Sequence, residues 1–341
     1  MKAAEDSSLL HVHCGECSAQ SLRSSGVGGE VIVWDDPLIE GPAPADVSPT
    51  DWLRLRAENL RRFFPTEADA VRAIAGMDER LCRFRAFDEV VLWFDACLFD
   101  QIILIRQLHW FAREGLGDCK LSLICIGEFP GFAHFQGLGE LNPPDLASLL
   151  PLRHEVSDAE TALAIQAWAA YRAPDPTGIE RLLQDDTSVL PYLGPALRRH
   201  LERFPSRRNG LSRLEGEALA AIASGEQCLW AIMRAAAERE YPAFFGDAYL
   251  FALLEALTCA PHPLLLEEGL SSFRHMPQRD WPLINARYTL TDDGKAVLDG
   301  EADWIALHGH IDRWLGGVHL LGADSPWRWD GERGRLVRSL S

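Results

Sequence analysis

The chain has 341 residues, 47% of them hydrophobic and 24% charged, a balance that excludes global disorder and suits about two domains. Its formal charge is −17: residues 1–204 hold 19 Lys and Arg against 31 Asp and Glu, and residues 205–341 hold 14 against 19. Neither part has the basic excess that drives phosphate binding, so charge disfavours nucleic acid as a partner. The longest apolar runs, 90–94 and 121–126, fall far short of a membrane span, and residues 1–8 carry Glu5 and Asp6 in place of a signal-peptide core. No membrane partner and a cytoplasmic location are expected.

In chain order, four β-type runs stand out at 9–14, 30–34, 89–95 and 121–126. The later two are near-continuous Val, Ile and Leu, as strands covered on both faces of a parallel sheet are. Helical stretches at 18–24, 50–64, 66–87 and 98–114 separate them, and residues 153–156 are a candidate edge strand. Strands alternating with helices predict a layered α/β domain over 1–156 with a Rossmann-like parallel sheet. Residues 157–171, 176–183 and 191–204 read as a helical extension. The polar run 205–210 predicts a boundary. Beyond it, three helices near 212–224, 226–239 and 247–259, a strand at 281–290, a turn at 291–294 and a helical stretch at 295–307 give a mainly helical, winged-helix-like order over 205–341.

Eight cysteines are ordinary usage. Six are isolated and read as free buried thiols, whereas Cys14 and Cys17 form a Cys-x-x-Cys pair whose place at a helix start could lower a thiol pKa. No second ligand pair accompanies it, so no metal site is predicted and no cofactor is specified.

Ligands of open α/β sheets bind outside the carboxyl ends of the strands. Each of the four predicted strands runs into acids there: Gly15-Glu16 after the first, Asp35-Asp36 and Glu40-Gly41 after the second, Asp95 with Asp100-Gln101 after the third, and Glu128 after the fourth. Glu16, Asp36, Glu40, Asp95 and Asp100 are therefore the candidate catalytic residues. Crowded carboxylates raise one another's pKa, and one of them can then act as general acid or base. His11, Gly15, Trp34, Gly41, Trp93 and Gln101 are the candidate ligand-binding positions, with a small molecule as the expected partner. Each has a plainer alternative: helix capping for Glu16 and Asp100, a solvated turn for Asp36, and a tight turn for Gly41. For Trp34 and Trp93 it is the core, and for His11 and His13 it is a hydrogen-bonded interior histidine.

Taken together, 11–16, Trp34 to Asp36, Glu40 to Pro42, Trp93 to Asp95, 98–101, the glycines of 129–131 and 137–139, and the later stretches 209–213, 245–247 and 312–318 resemble the bacterial family called domain of unknown function 1835. The resemblance covers most of the chain. It implies the same two-part organisation and no established activity. After its third strand that family typically shows Trp-Phe-Glu-His-Asp-Leu-Tyr-Asp-Gln. Here Asp95, Ala96 and Cys97 stand for the Glu, His and Asp, while Asp100 and Gln101 remain. The resemblance therefore implies a site that binds without turnover, or an inactive one.

Three functions compete at this level. A polar-ligand or hydrolase/transferase-type site at the strand ends requires its acids to converge. A ligand-sensing regulator would read DNA through the third helix at 247–259, which contains no Lys or Arg. Scaffolding through Trp304, Trp314, Trp327 and Trp329 is the third.

Overall fold

The computed structural model describes residues 8–61, 66–259, 261–269 and 286–338. Two compact units divide between Leu197 and Arg198. The first contains β1 (Leu9–His13), α1 (Glu16–Arg23), β2 (Glu30–Val33), α2 (Pro49–Leu60), α3 (Glu67–Leu81), β3 (Glu89–Asp95), α4 (Leu98–Glu114), β4 (Lys120–Ile126), α5 (Pro143–Leu149), β5 (His154–Glu155), α6 (Asp158–Arg172) and α7 (Thr177–Leu182). Helix α8 (Leu193–Leu201) contains the division.

The sheet of the first unit runs β2-β1-β3-β4-β5. Its first four strands are parallel, and β5 pairs antiparallel with β4. All seven residues of β3 are buried because β1 and β4 flank it and helices cover it, which is why its sequence is continuously apolar rather than alternating. On one face Val91 and Trp93 pack with Leu22 of α1 and with Leu146 and Leu149 of α5. Helix α4 lies against β3, and α6 lies along α4. Each fully buried Leu, Ile or Val in these layers contributes roughly 1.5–3 kcal/mol relative to exposure. Helix α6 begins with a reciprocal capping box between Ser157 and Glu160, which stops β5 and starts the helix within three residues.

The second unit contains α9 (Arg213–Ala223), α10 (Leu229–Arg239), α11 (Asp247–Leu257), β6 (Leu265–Glu268), β7 (Arg287–Leu290), α12 (Asp292–Asp299), α13 (Trp304–His308), β8 (Ile311–Leu315), β9 (Val318–Gly322), β10 (Trp327–Asp330) and β11 (Arg335–Arg338). The strands form three antiparallel pairs, β6–β7, β8–β9 and β10–β11. Glu215, capped by Ser212, is held by Arg313 of β8 at 2.5 Å. Among the described residues, no helix is long and apolar enough to cross a membrane.

Several sequence expectations need correction. Among the described residues, six strands accompany the helices of the unit beyond the boundary, more than the one strand expected. The turn expected at 291–294 is the start of α12: the Thr291 hydroxyl accepts the Gly294 N–H at 2.9 Å, a cap that leads into a helix. The helical stretch expected at 295–307 is two helices, because α12 stops at Gly300. Strand β6 was not foreseen. Of the strand expected at 281–290, only Arg287–Leu290 is seen as β7, and 281–285 lie outside the described residues. The first helix of the extension, α6, packs within the first unit, and the division falls before 205–210.

Candidate functional site at the ends of β1 and β3

The chain leaves β1 toward β2 on one side and returns to β3 on the other, so the strand order reverses between β1 and β3. At such a switch point the two strand-to-helix turns separate and leave a crevice outside the strand ends. Those turns are Cys14-Gly15, leading into α1, and Ala96-Cys97, leading into α4.

Asp100, in the first turn of α4, joins the two. One of its oxygens accepts the Asp95 backbone N–H at 2.8 Å, and the other accepts the Cys14 thiol at 2.8 Å. The Cys97 sulfur lies 3.6 Å from that second oxygen. Asp95 accepts the backbone N–H of Cys97 at 3.0 Å and that of Leu138 at 3.2 Å. Gly137, at φ +146°, allows this approach: a Cβ there would fall 2.2 Å from the Asp95 carboxylate. Gln101 donates its side-chain amide to the Asp95 carbonyl at 2.6 Å and to the Cys125 sulfur at 3.3 Å. Asp95, Cys97 and Asp100 each bring a donor atom within 4.8 Å of the others, so these three, with Cys14 beside them, could hold a metal ion.

Burial dominates the electrostatics. It raises the Asp95 pKa, and burial followed by the Asp95 charge raises that of Asp100 well above the carboxylate range. Two carboxylate charges this close repel by about 3 kcal/mol at an effective dielectric near 20. A proton is thereby favoured on Asp100, while Asp95 keeps its two backbone donors. Burial, followed by the two aspartates, also pushes the Cys14 and Cys97 thiols well up, and burial raises Cys125. Among the described residues no ion pair neutralises either aspartate. Cys14 and Cys17 do not pair: both are free, Cys14 is buried and Cys17 exposed, and burial opposes the thiol activation expected of a helix start. Of the six thiols expected to be buried, Cys82, Cys228 and Cys259 are exposed.

The sequence candidates scatter around this centre. Glu16 is exposed and pairs with Arg23 at 2.5 Å. Asp36 is fully buried against the equally buried Arg56, whose Nε and Nη2 reach its oxygens at 2.9 and 2.5 Å. Its carboxylate is consumed in structure, so it leaves the catalytic set. Glu40 contributes its backbone carbonyl to the same guanidinium, as do Pro37 and Pro42. Gly41, at φ +68°, faces Asn59, whose side chain would meet a Cβ at 2.2 Å, so it shapes the turn and contacts no ligand position. Trp34 is buried, donates to Asp78 at 2.9 Å and lies 4.1 Å beneath the Arg106 guanidinium. Gly15 caps α1 and has open space where a side chain would project.

Trp93 donates to His11 Nδ1 at 3.1 Å, so His11 carries its proton on Nε2 and gives it to the Gly28 carbonyl at 3.1 Å. Burial holds His11 below its usual pKa. His13 stacks on Trp93 and shares a hydrogen bond with the Ser18 hydroxyl at 3.0 Å, and burial lowers its pKa to about 3. Ser18 in turn donates to the Gly15 carbonyl, which makes His13 Nδ1 the donor and leaves Nε2 a buried lone pair with no partner among the described residues. By register His13 aligns with Trp93, two residues before Asp95 on the same face. Of the candidate acids, Asp95 and Asp100 converge, joined by Gln101. Sequence reasoning missed Cys14, Cys97 and the Gly137-Leu138 loop as parts of one site. Asp95-x-Cys97 was visible as a pattern, but its partner Cys14 lies 86 residues from Asp100.

No known family profile matches the chain, and no curated protein matches it in sequence.

Proposed function

We propose that the first unit binds a small polar ligand at the carboxyl ends of β1 and β3 through a divalent cation held by Asp95, Cys97, Asp100 and Cys14. One observation carries this reading: two buried carboxyls and two buried thiols crowd together without a cationic side chain to balance them. A mixed sulfur and carboxylate set suits zinc, which takes four ligands of these types, better than magnesium, which prefers oxygen and octahedral geometry. In the unloaded state the Asp95–Asp100 pair shares a proton, and Asp100 is then an acid of the kind that hydrolase or transferase chemistry uses. The same reading takes the chain as a divergent relative of the domain of unknown function 1835 family. Cys97 and Ala96 in place of that family's Asp and His favour binding over turnover. A Rossmann-like label for the sheet and a cytoplasmic setting belong to this reading as well.

Titration with Co²⁺ under reducing conditions tests it. The expected result is one equivalent bound, a thiolate-to-cobalt charge-transfer band, and release of protons from the ligands. The Cys97→Ser and Asp100→Asn variants should each lose the band. A wild-type protein that takes up no Co²⁺ or Zn²⁺ at micromolar concentration removes the proposal.

For the second unit, the order α9-α10-α11-β6-β7, with Cys228 bridging to Arg287 beside α10, supports the winged-helix reading. Helix α11 would be its groove-facing helix, and it carries Asp247 and Glu255 and no Lys or Arg. Such a helix suits a protein partner better than phosphates. A gel shift at low salt that retards genomic fragments would reverse that preference.

A further inference from the structure

Away from the strand ends, the helical layer of the first unit borders a half-open pocket of about 700 Å³ between α2, α3, α4, α6 and the segment before α2. That is within the range of small-molecule pockets. None of its lining residues belongs to the Asp95–Asp100 cluster. Trp52, Trp110 and Trp168 supply much of its wall, and Trp52 and Trp168 meet edge to face at 6.3 Å.

Set among these indoles are guanidiniums. Arg172 lies 5.0 Å over Trp52 and 5.5 Å from Trp168, and its nitrogens are anchored by the backbone carbonyls of Pro44 and Ala45 rather than by a carboxylate. Arg106 is packed between Trp34 and Trp110 and is answered by Asp78 at 2.7 Å. Among the described residues Arg113 pairs with the adjacent Glu114, at 3.4 Å and largely in solvent. Asp46 acts on Arg172 as well, and Glu79 lines the cavity, but among the described residues no carboxylate forms an ion pair with Arg172.

His109 lies between these charges, and its Nδ1 is buried with no hydrogen-bond partner among the described residues. After burial, the groups that hold its pKa below the usual value are Arg113, Arg172 and Arg106. The three guanidiniums thus act on His109 in the same sense, within a chain of net charge −17.

We propose that this cavity is a binding site for a planar aromatic molecule bearing an anionic group, phosphate or carboxylate. The aromatic ring packs into the apolar part of the cavity lined by Val47, Leu53 and the indole edges, and Arg113, Arg172 and His109 receive the anion. The apolar wall and the guanidiniums each reinforce the other's hold on such a ligand. The ring buries apolar surface, while charge-assisted hydrogen bonds to the anion are about twice as strong as neutral ones. The opposite charge combination is disfavoured, because a cation would be repelled by Arg113 and Arg172.

The full chain is titrated with adenosine 5′-monophosphate, indole-3-acetate, adenosine and inorganic phosphate, read by tryptophan fluorescence and calorimetry. Maleimide labelling of each cysteine is mapped in parallel by mass spectrometry. Cys82 is exposed and lines the cavity, whereas Cys17, Cys228 and Cys259 are exposed elsewhere and serve as internal controls. At least one of the two aromatic anions should saturate at least tenfold more tightly than adenosine or phosphate, and it should slow labelling of Cys82 alone. Which of the two binds distinguishes phosphate from carboxylate. Arg113→Glu, a change at a solvent-facing side chain, should weaken that binding at least tenfold without lowering Tm. No saturation by either anion, equal binding of phosphate alone, or binding that leaves Cys82 and the Arg113→Glu variant unaffected overturns the proposal. Because Asp95 and Asp100 play no part, the result is independent of the cobalt titration.

Discussion

The ends of β2 and β3 carry the same sequence signal and opposite physics. After β2, Asp36 meets Arg56 in a fully buried bidentate pair, and the remaining guanidinium donors take the carbonyls of Pro37, Glu40 and Pro42. The Asp36 charge and the Arg56 donors are answered, so the loop from Pro37 to Pro42 is folded around one cation. After β3, Asp95 and Asp100 face each other and two thiols, with only N–H and S–H donors. The first arrangement has no capacity left for a ligand, and the second has charge to spare. An acid at a strand end thus says little until its long-range partner is known.

The contrast can be tested by removing one partner at each end. The largest effect belongs to β2. Arg56→Leu leaves Asp36 buried and unpaired, and chemical denaturation should record a loss of about 3–5 kcal/mol. A loss under 1 kcal/mol would mean that the pair is not what holds the loop. Next is the support of Asp95: Gly137→Ala forces an L side chain into φ +146° and against the carboxylate, for an expected loss of about 1–3 kcal/mol and weakened Co²⁺ uptake. Unchanged stability would show that the loop does not close on Asp95.

At Asp100 the sign reverses. Its folded pKa is raised, so the stabilisation it allows is complete below the unfolded carboxyl value near 4 and is lost as pH rises through the folded pKa. Metal-free wild type should lose stability as pH rises above the unfolded carboxyl value near 4. Asp100→Asn should flatten that slope and raise Tm at pH 8, although Asp36→Asn should lower it. A wild-type curve that rises with pH across this window would contradict a shared proton. The smallest effect is at β1: Glu16→Gln removes an exposed ion pair and should cost about 0.5 kcal/mol or less, with cobalt binding intact. A loss of binding there would draw Glu16 back into the site.

These contrasts mark how far the sequence could be read. Strand β3 was legible to the residue because both its faces are covered and the run had to be apolar throughout. Asp95, Asp100 and Gln101 were legible because a parallel strand followed by a helix directs its next residues to one sheet edge. Strand β6 was not, since its partner β7 begins 19 residues after it ends. At Thr291, an Asp-Asp-Gly run has turn composition, and the same side-chain cap begins either a turn or a helix.

By itself the sequence determined the α/β alternation of the first unit, the absence of long apolar spans among the runs it shows, and the acids at the strand ends. All of these follow from local periodicity and from where a strand must stop. The tertiary structure decided what those acids do. Arg56 neutralises Asp36 across 20 residues, Cys14 reaches Asp100 across 86, and three helices gather tryptophans and arginines that no local pattern connects. Burial and pairing are properties of the folded surroundings, and they turn identical carboxylates into a structural anchor in one place and a buried pair without a cationic partner among the described residues in another.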